Sequence, residues 1–261
     1  MGILNITPDS FSDGGSFVRR DAAVAHARAM VEAGADLIDV GGESTRPGAQ
    51  AVSVQEELDR VIPVIEALAG AVSVPISVDT AKAEVMTAAA EAGAGLINDV
   101  RALREPGALE AAARTGLPVC LMHMQGRPRT MQADPRYADV ASEVLAFLLE
   151  RVRVCEAAGM DRARILLDPG FGFGKTLEHN LALFRALPEL VATGLPVLVG
   201  ISRKSMIGAL TGAAVDRRLG GSLAAAVLAA QAGAAVLRVH DVFETAQAVK
   251  VAQAIGRIGV A

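Results

Sequence analysis

The chain has 261 residues, of which 52% are hydrophobic and 3% aromatic, and its formal net charge is -4. This length is close to the roughly 250 residues of one eightfold βα barrel, and the hydrophobic content suffices for one large core. The acidic balance and the lack of basic runs argue against a general nucleic-acid-binding protein.

The composition also argues against a disulfide framework and a membrane span. The two cysteines, Cys120 and Cys155, lie in apolar strand and helix patterns and are expected to be buried thiols. No apolar run reaches the roughly 18 residues that a membrane span requires, and no N-terminal segment has the pattern of a signal peptide. The sequence therefore predicts a soluble, cytoplasmic protein.

Strand and helix patterns alternate along the whole sequence. Several helix patterns end at a glycine, such as Gly34, Gly93 and Gly233, each in an Ala-Gly-Ala that precedes a new strand. The strands are continuous apolar runs, as expected when both faces of a parallel sheet are covered. The predicted helices cover residues 21–33, 54–69, 82–92, 107–115, 139–158, 177–187, 219–232 and 243–256.

Each of the eight strand patterns ends in polar side chains. Eight repeats favour closure into an α/β (β/α)8 TIM barrel, a single domain over residues 1–261, rather than an open doubly wound sheet. In a closed barrel the carboxyl ends of the strands meet at one mouth, so these side chains predict an active site there. In chain order they are Asn5; Glu43; Asp79; Asn98 and Asp99; His123; Asp168; Ser202, Arg203 and Lys204; and Arg238 and His240.

Two polar, glycine-rich loops follow the first two strands. The first contains Phe11 and Asp13 and is either a surface turn or a mobile flap over the mouth. The second, residues 41–48, combines glycines, hydroxyls and Arg46, a composition that suits anion binding through backbone N–H groups and a charge. A helix-capping turn is the alternative for the second loop.

Asp79, Asn98 and Asp168 follow three different strands and form the most informative set. Each alone could be a helix N-cap, but together they can offer acceptors and donors to the edge of a flat, amide-like heterocycle. A divalent metal site is the competing interpretation, and the single amide among the three fits ring recognition better.

The segment 168–176 is glycine-rich and contains Lys175, but it lacks the phosphate-loop spacing because Pro169 stands where a glycine is required. We interpret it as a flexible loop in which Phe173 can face a ligand ring. His123 is either a satisfied core histidine or, beside Met122, part of a soft wall for such a ring.

Basic residues follow the seventh and eighth strands, whose loops often hold phosphate in this fold. Lys204 and Arg238 would supply positive charge there, and His240 would supply a further donor. Lys204 could instead form a Schiff base, and the residue pattern alone leaves both chemistries open.

Seven motifs, taken in order, closely resemble the signatures of the bacterial dihydropteroate synthase family, and they extend from Met1 to about Lys250. This resemblance implies a TIM barrel that condenses 6-hydroxymethyl-7,8-dihydropterin diphosphate with 4-aminobenzoate, giving 7,8-dihydropteroate and diphosphate. It also implies Mg²⁺ as cofactor, a homodimer, and competition by sulfonamides. The motifs are residues 5–15, 42–48, 77–80, 97–99, 168–175, 202–205 and 238–241.

The resemblance also assigns roles to residues of this sequence. Those that would hold the pterin are Asp79, Asn98, Asp168 and Lys204, with Met122 lining the pocket. Those that would contact diphosphate are Thr45, Arg238 and His240, with Asn5 touching both Mg²⁺ and diphosphate. Those that would belong to two closing loops are Phe11, Asp13, Arg46 and Pro47, and those bordering the aminobenzoate are Phe173, Ser202 and Lys204. Asp13, Arg46 and Lys204 are the expected catalytic residues.

Two other activities are considered. A pterin-dependent methyltransferase would share Asp79, Asn98 and Asp168 but would need no grip on diphosphate, against which the Thr45–Gly48 and Ser202–Lys204 motifs argue. A non-catalytic pterin-binding protein would not need the complete set of loop residues. The family usually has a short segment before the first strand, so the resemblance also predicts a less covered barrel end opposite the mouth.

Overall fold

Strands and helices alternate along the chain as the sequence predicts. The computed structural model describes residues 1–6, 16–44, 52–126 and 130–256, with the side chains of 16–19 excepted. The strands are β1 (Gly2–Asn5), β2 (Ile38–Gly41), β3 (Ile76–Asp79), β4 (Leu96–Asp99), β5 (Val119–Met122), β6 (Ile165–Asp168), β7 (Leu198–Val199) and β8 (Val236–Leu237). The helices are α1 (Ser16–Glu32), α2 (Val54–Ala69), α3 (Ala83–Glu91), α4 (Ala108–Thr115), α5 (Val140–Ala157), α6 (Leu177–Arg185), α7 (Leu187–Val191), α8 (Ser205–Thr211), α9 (Leu219–Gln231) and α10 (Val242–Gly256).

The eight strands close into a barrel. β1 to β6 pair in parallel in chain order, and β7 pairs in parallel with β8. Parallel bridges from Leu167 to Val197 and from Gly2 to Val239 join the two ladders at both sides. The N–H of Ile3 donates to the carbonyl of Val239 at 3.1 Å, so the last strand returns to the first. This closure confirms the (β/α)8 barrel and excludes the open doubly wound sheet.

Alternate residues of each strand face opposite sides of the barrel wall, because side chains alternate along a strand. Ile38 and Val40 of β2 belong to the large apolar cluster that the strands form with the surrounding helices, and Asp39 lies between them. Ser77 of β3 likewise lies between two members of that cluster. The barrel interior therefore carries buried polar groups within strands whose outer face is apolar.

Helix boundaries follow local capping. The hydroxyl of Ser53 accepts the N–H of Glu56 at the start of α2, whose predicted bounds are confirmed. The predicted helix 177–187 corresponds to α6, which ends two residues earlier, at Arg185. A separate short helix that the sequence did not predict, α7, begins at Leu187. Pro188 lies in the first turn of α7, where its missing N–H is tolerated and its ring favours a new helical start. Sequence periodicity missed α8, because seven residues including Gly208 are too short for a periodic signal.

Cys120 and Cys155 are both buried free thiols, as predicted. Across the described ranges, no helix combines the length and the apolar character that crossing a bilayer requires.

Candidate active site

The carboxyl ends of the strands form one polar layer. Asn5, Gly41, Asp79 and Asn98 are in register across β1 to β4, which places their side-chain positions side by side. A Cβ atom added to Gly41 would lie 3.7 Å from Oδ2 of Asp79 and 3.8 Å from Oδ1 of Asn5. The glycine therefore leaves a space toward which two oxygen acceptors from neighbouring strands converge.

Arg238 connects three strands inside this layer. Its Nε donates to Oδ2 of Asp39 at 2.6 Å, and its Nη2 donates to Oδ2 of Asp79 at 2.8 Å. Nδ2 of Asn98 donates to the same oxygen of Asp39 at 3.2 Å. Asp39 is fully buried, and its Oδ1 has no hydrogen-bond partner among the described residues. The mouth thus begins with an ion-paired network in which Asp39 holds both Arg238 and Asn98.

Burial and charge shift the protonation of this network. Burial raises the pKa of Asp79 to about 7, and the nearby carboxylate of Asp39 acts in the same direction, while the Arg238 guanidinium opposes both. Burial lowers the pKa of Arg238, but the carboxylates of Asp39 and Asp79 outweigh burial and hold that pKa above its ordinary value. Arg238 therefore stays charged, whereas Asp79 titrates near neutrality.

A second group of side chains lies around the loop after β6, residues 169–176, here called the β6 loop. Lys204 donates from Nζ to the carbonyl of Phe171, and its Nζ lies 4.6 Å from the ring centroid of Phe173. Burial lowers the pKa of Lys204 to about 8, an effect that the Asp168 carboxylate opposes. Burial raises the pKa of Asp168, while Lys204 and the N–H of Gly170, which donates to Oδ1 at 2.7 Å, oppose the shift.

An apolar wall borders this second group. Met122, at the end of β5, is 3% exposed and forms a small cluster with Met124 and Met131, against which Phe173 packs. A flat ring can lie on such a wall, since thioether and aromatic surfaces are polarizable. Because Met122 is in register with Asp168, the wall adjoins a carboxylate that can accept from the edge of the ring.

The ends of β7 and β8 are tied to each other. The hydroxyl of Ser202 accepts the backbone N–H of His240 at 3.2 Å and lies 3.1 Å from its Nδ1. Arg203 adopts a left-handed backbone with φ of 59°, and its Nε donates to Asp241 at 3.0 Å. Such a conformation is costly for a non-glycine residue. Here it directs Arg203 outward while the next side chain, Lys204, turns to the mouth.

Other strand-end residues have structural partners rather than places in the mouth. Glu43 pairs with Lys82, which also pairs with the buried Glu57 of α2. Asp99 accepts the N–H groups of Arg101 and Leu103, both at 2.7 Å, and so holds the turn after β4. These contacts secure the beginnings of the loops after β2 and β4.

The remaining candidates from the sequence lie outside the described residues: Phe11, Asp13, Thr45, Arg46 and Pro47. Among the residues that the structure describes, no group of three or more His, Cys, Asp and Glu side chains is arranged to hold a metal ion.

Sequence reasoning missed two residues of this region. The apolar strand pattern around Asp39 does not single it out, although a carboxylate within such a run is itself a signal of a buried polar role. The sequence pattern around Lys175 suggests only a phosphate loop. Lys175 is 3% exposed, and its Nζ lies 3.0 Å from Nδ1 of His123. Burial, followed by the charge of Lys175, lowers the pKa of His123 to about 3, so its ring is neutral.

Comparisons with known proteins agree with the barrel fold. The family described as "Pterin binding enzyme" matches residues 1–240. Dihydropteroate synthase of Escherichia coli (strain K12) is 60% identical over 254 residues, which are 97% of this chain and 90% of that protein. The Yersinia pestis dihydropteroate synthase in a sulfonamide drug complex has a TM-score of 0.93 and 58% identity, covering 97% of this chain and 92% of that one. The Xanthomonas albilineans dihydropteroate synthase with 4-aminobenzoic acid has a TM-score of 0.92 and 57% identity, and the match covers 98% of this chain and 92% of that one. The chain therefore belongs to the dihydropteroate synthase family of pterin-binding enzymes.

Proposed function

We infer that the chain catalyses the reaction of its family, the transfer of a pterinylmethyl group from 6-hydroxymethyl-7,8-dihydropterin diphosphate to 4-aminobenzoate. The products are 7,8-dihydropteroate and diphosphate. The observation that carries this inference is that two groups of side chains lie at the same end of one barrel. One is the network of Asp79, Asn98 and Arg238, and the other contains Asp168 and Lys204.

We propose that the ring of the pterin is held by Asp79, Asn98, Asp168 and Lys204 and lies against Met122. The two carboxylates accept ring N–H groups, and the amide and ammonium donate to ring acceptors. The network on Asp39 supports this assignment, because it fixes the orientation of the Asn98 amide before a ligand arrives. A prearranged site loses less entropy on binding.

The diphosphate is assigned to Thr45, Arg238 and His240. Arg238 is already anchored by two carboxylates, so its guanidinium can contact a phosphate oxygen without moving from its place in the network. His240 is fixed through Ser202, and it supplies a further donor near the same strand ends. Spreading charge over several fixed donors favours departure of the leaving group.

Mg²⁺ is proposed as the cofactor, with Asn5 as its ligand. Asn5 fits this ion: its amide Oδ1 lies beside the space left by Gly41, and Mg²⁺ takes oxygen ligands, few of them from protein when phosphates are present. When bound, Mg²⁺ neutralises negative charge on the departing diphosphate. Asn5 would orient it from the end of β1.

Asp13 and Arg46 are proposed to complete the site from the two closing loops. The displacement is SN1-like, and the carboxylate of Asp13 stabilises the cationic carbon next to the electron-rich ring. The arylamine is neutral at pH 7, so no strong base is required and catalysis is mostly positioning. Asp13→Ala is expected to lower kcat far more than pterin affinity, and equal losses in steady-state kinetics and calorimetry would refute this role.

The aminobenzoate is assigned to Phe173, Ser202 and Lys204. Phe173 lies beneath the Lys204 ammonium, and this pair offers an aromatic face and a positive charge to an aromatic carboxylate. Sulfonamides share the shape of 4-aminobenzoate, so we propose that they compete for this subsite. Initial rates at several aminobenzoate concentrations test this, and noncompetitive inhibition would contradict it.

A diphosphate-release assay tests the function as a whole. Release that requires both the pterin diphosphate and 4-aminobenzoate is the expected result. Pterin binding without release would indicate a non-catalytic binding protein, and methyl transfer from a folate without release would indicate a methyltransferase. Omitting Mg²⁺ is expected to reduce release and to leave binding of the free pterin unchanged.

We further propose a cytoplasmic homodimer. The support for the dimer is a face of α9 and α10, which pack together and expose the apolar side chains of Leu228, Phe243, Val251 and Ile255. The support for the cytoplasm is the pair of free thiols. Light scattering after gel filtration tests the dimer, and the double change Phe243→Ser with Val251→Ser is expected to yield monomers.

A further inference from the structure

We propose that Lys175 is a positioning residue of the pterin site, fastening the β6 loop to the end of β5 through the neutral ring of His123. This inference rests on the proposed function, because the groups that Lys175 positions are those assigned to the two substrates.

The first observation is the match between the donors of Lys175 and their acceptors. Its Nζ donates to the carbonyls of Gly170 at 2.9 Å and Phe173 at 3.1 Å, and it lies 3.0 Å from Nδ1 of His123. An ammonium group has three donors and no acceptor. These three acceptors can satisfy its three donors, and a fourth, the carbonyl of His123, lies farther away at 3.5 Å. Among the described residues Lys175 forms no ion pair with a carboxylate. Burying a charge is costly unless it is fully hydrogen-bonded, so these contacts are what allow Lys175 to lie buried.

The second observation is the tautomer that this contact requires. Burial lowers the pKa of Lys175 to about 7, an effect that the Asp168 carboxylate opposes. In its ammonium form Lys175 can only donate, so Nδ1 of His123 accepts and the ring proton lies on Nε2. Neighbouring rings pack around the imidazole: the centroid of Phe147 is 5.0 Å away, edge to face, and that of Tyr137 is 6.0 Å away. The hydroxyl of Tyr137 also donates to the carbonyl of Gly174 at 2.8 Å, so the same cluster holds the far end of the β6 loop.

The third observation is how closely the β6 loop lies on β5. A Cβ on Gly170 would be 1.9 Å from the carbonyl oxygen of His123, and one on Gly174 would be 2.5 Å from that of Gln125. Both glycines have positive φ, at 68° and 61°. The loop that the sequence suggested as flexible is thus packed backbone against backbone, with Lys175 turned inward beneath it.

The consequence concerns the substrate groups. Gly170 donates its N–H to Asp168, Phe171 accepts from Lys204, and Phe173 presents its ring to the same ammonium. Lys175 donates to the carbonyl of Gly170, which is two residues after Asp168. It also donates to the carbonyl of Phe173, whose ring faces Lys204. A change at Lys175 therefore reaches Asp168, Phe173 and Lys204 together, although Lys175 itself is buried beneath them.

Three variants test this role. Lys175→Met is expected to raise KM for the pterin diphosphate at least tenfold, with a smaller change in kcat. His123→Leu removes the acceptor and is expected to raise KM in the same direction. His123→Asn keeps an acceptor near the position of Nδ1, and its KM is expected to stay within about threefold of that of the unchanged chain. An unchanged KM in folded Lys175→Met, or equal losses in the Asn and Leu variants, would overturn the proposal.

A spectroscopic measurement on the unchanged chain covers the case in which Lys175→Met does not fold. The chain has four histidines, so ¹⁵N-histidine NMR can assign His123 by its loss in His123→Asn. The expected signal below pH 7, where Lys175 is an ammonium, is a neutral, Nε2-protonated ring, and a protonated Nδ1 in that range would overturn the proposal. Failure of the unchanged chain to release diphosphate would count against the proposed function. The NMR measurement tests the contact between Lys175 and His123 independently of that activity.

Discussion

The two sides of the barrel mouth hold their charges in different ways. On the side formed by β2, β3 and β8, Arg238 lies between the carboxylates of Asp39 and Asp79 at 2.6 and 2.8 Å. On the side formed by β5, β6 and β7, the ammonium groups of Lys175 and Lys204 are held by backbone carbonyls of the β6 loop. The first side is an ion-paired network between strands, and the second is a loop wrapped around two cations.

The difference follows from what each structural element can offer. Strand carbonyls are used in the ladder, so a cation between strands must be held by side-chain carboxylates. A glycine-rich loop can turn its carbonyls inward and hold a cation without a carboxylate. The first side thus has two carboxylates for one guanidinium and suits ring N–H donors. The second has Asp168 against two lysines and suits the carboxylate of the aminobenzoate proposed to bind there.

Arg238→Met breaks the paired side and is expected to have the largest effect. It leaves the buried Asp39 and Asp79 without their cation, and breaking a buried pair typically costs about 3 kcal/mol or more of the free energy of unfolding. Denaturation in urea measures this loss. Lys204→Met on the opposite side leaves no such pair broken, so it is expected to cost clearly less, and equal losses would contradict the distinction.

Asp79→Ala and Asp168→Ala remove one carboxylate from each side. Each leaves ligand donors unpaired, at about 1–3 kcal/mol per donor, so we expect pterin affinity to fall roughly tenfold or more. Isothermal titration calorimetry with the free pterin measures this, with Glu150→Ala on the surface of α5 as the control. Unchanged affinity in either variant would remove that carboxylate from the site.

Gly170→Ala disturbs the loop-wrapped side alone. Its Cβ would collide with the carbonyl of His123, and its φ of 68° is unfavourable for alanine. Gly159→Ala, with φ of 88° and open space around its Cβ, is the matched control for the backbone cost of about 1–2 kcal/mol. We expect both to lower the melting temperature, Gly170→Ala more, and Gly170→Ala alone to weaken pterin binding. Equal effects would show that the close approach to β5 is unimportant.

The pH dependence of kcat/KM distinguishes the two sides of the mouth and is expected to show the smallest effect. Asp79 has its pKa raised to about 7 and Lys204 has its pKa lowered to about 8. Binding requires the carboxylate and the ammonium, so kcat/KM for the pterin substrate is expected to rise with pH toward 7 and to fall above 8. Asp79→Asn is expected to lose the acidic limb and to keep the alkaline one. An acidic limb near pH 7 that persists in Asp79→Asn would assign it to another group.

The positions of many candidate site residues at the barrel mouth could be predicted from the sequence because the fold repeats. The end of an apolar strand pattern is a local signal, and Asp79, Asn98, Asp168 and Lys204 each follow one. Helix ends were less predictable where local chemistry overrides periodicity, as at Ala186, where α6 has ended and Pro188 favours the start of a separate helix, α7. The seven-residue α8 carried too short a pattern to be recognised.

The sequence by itself determined the order of strands and helices and the polar residues at the strand ends, since both depend on neighbours within a few positions. Only the tertiary structure decided which of these residues meet. Arg238 binds Asp39 across 199 positions because β8 closes on β1, and Lys175 reaches His123 across 52 positions because the β6 loop lies on β5. Hydrogen bonds act over about 3 Å, so partners so distant in the chain are chosen by barrel closure and loop packing, which no local pattern records.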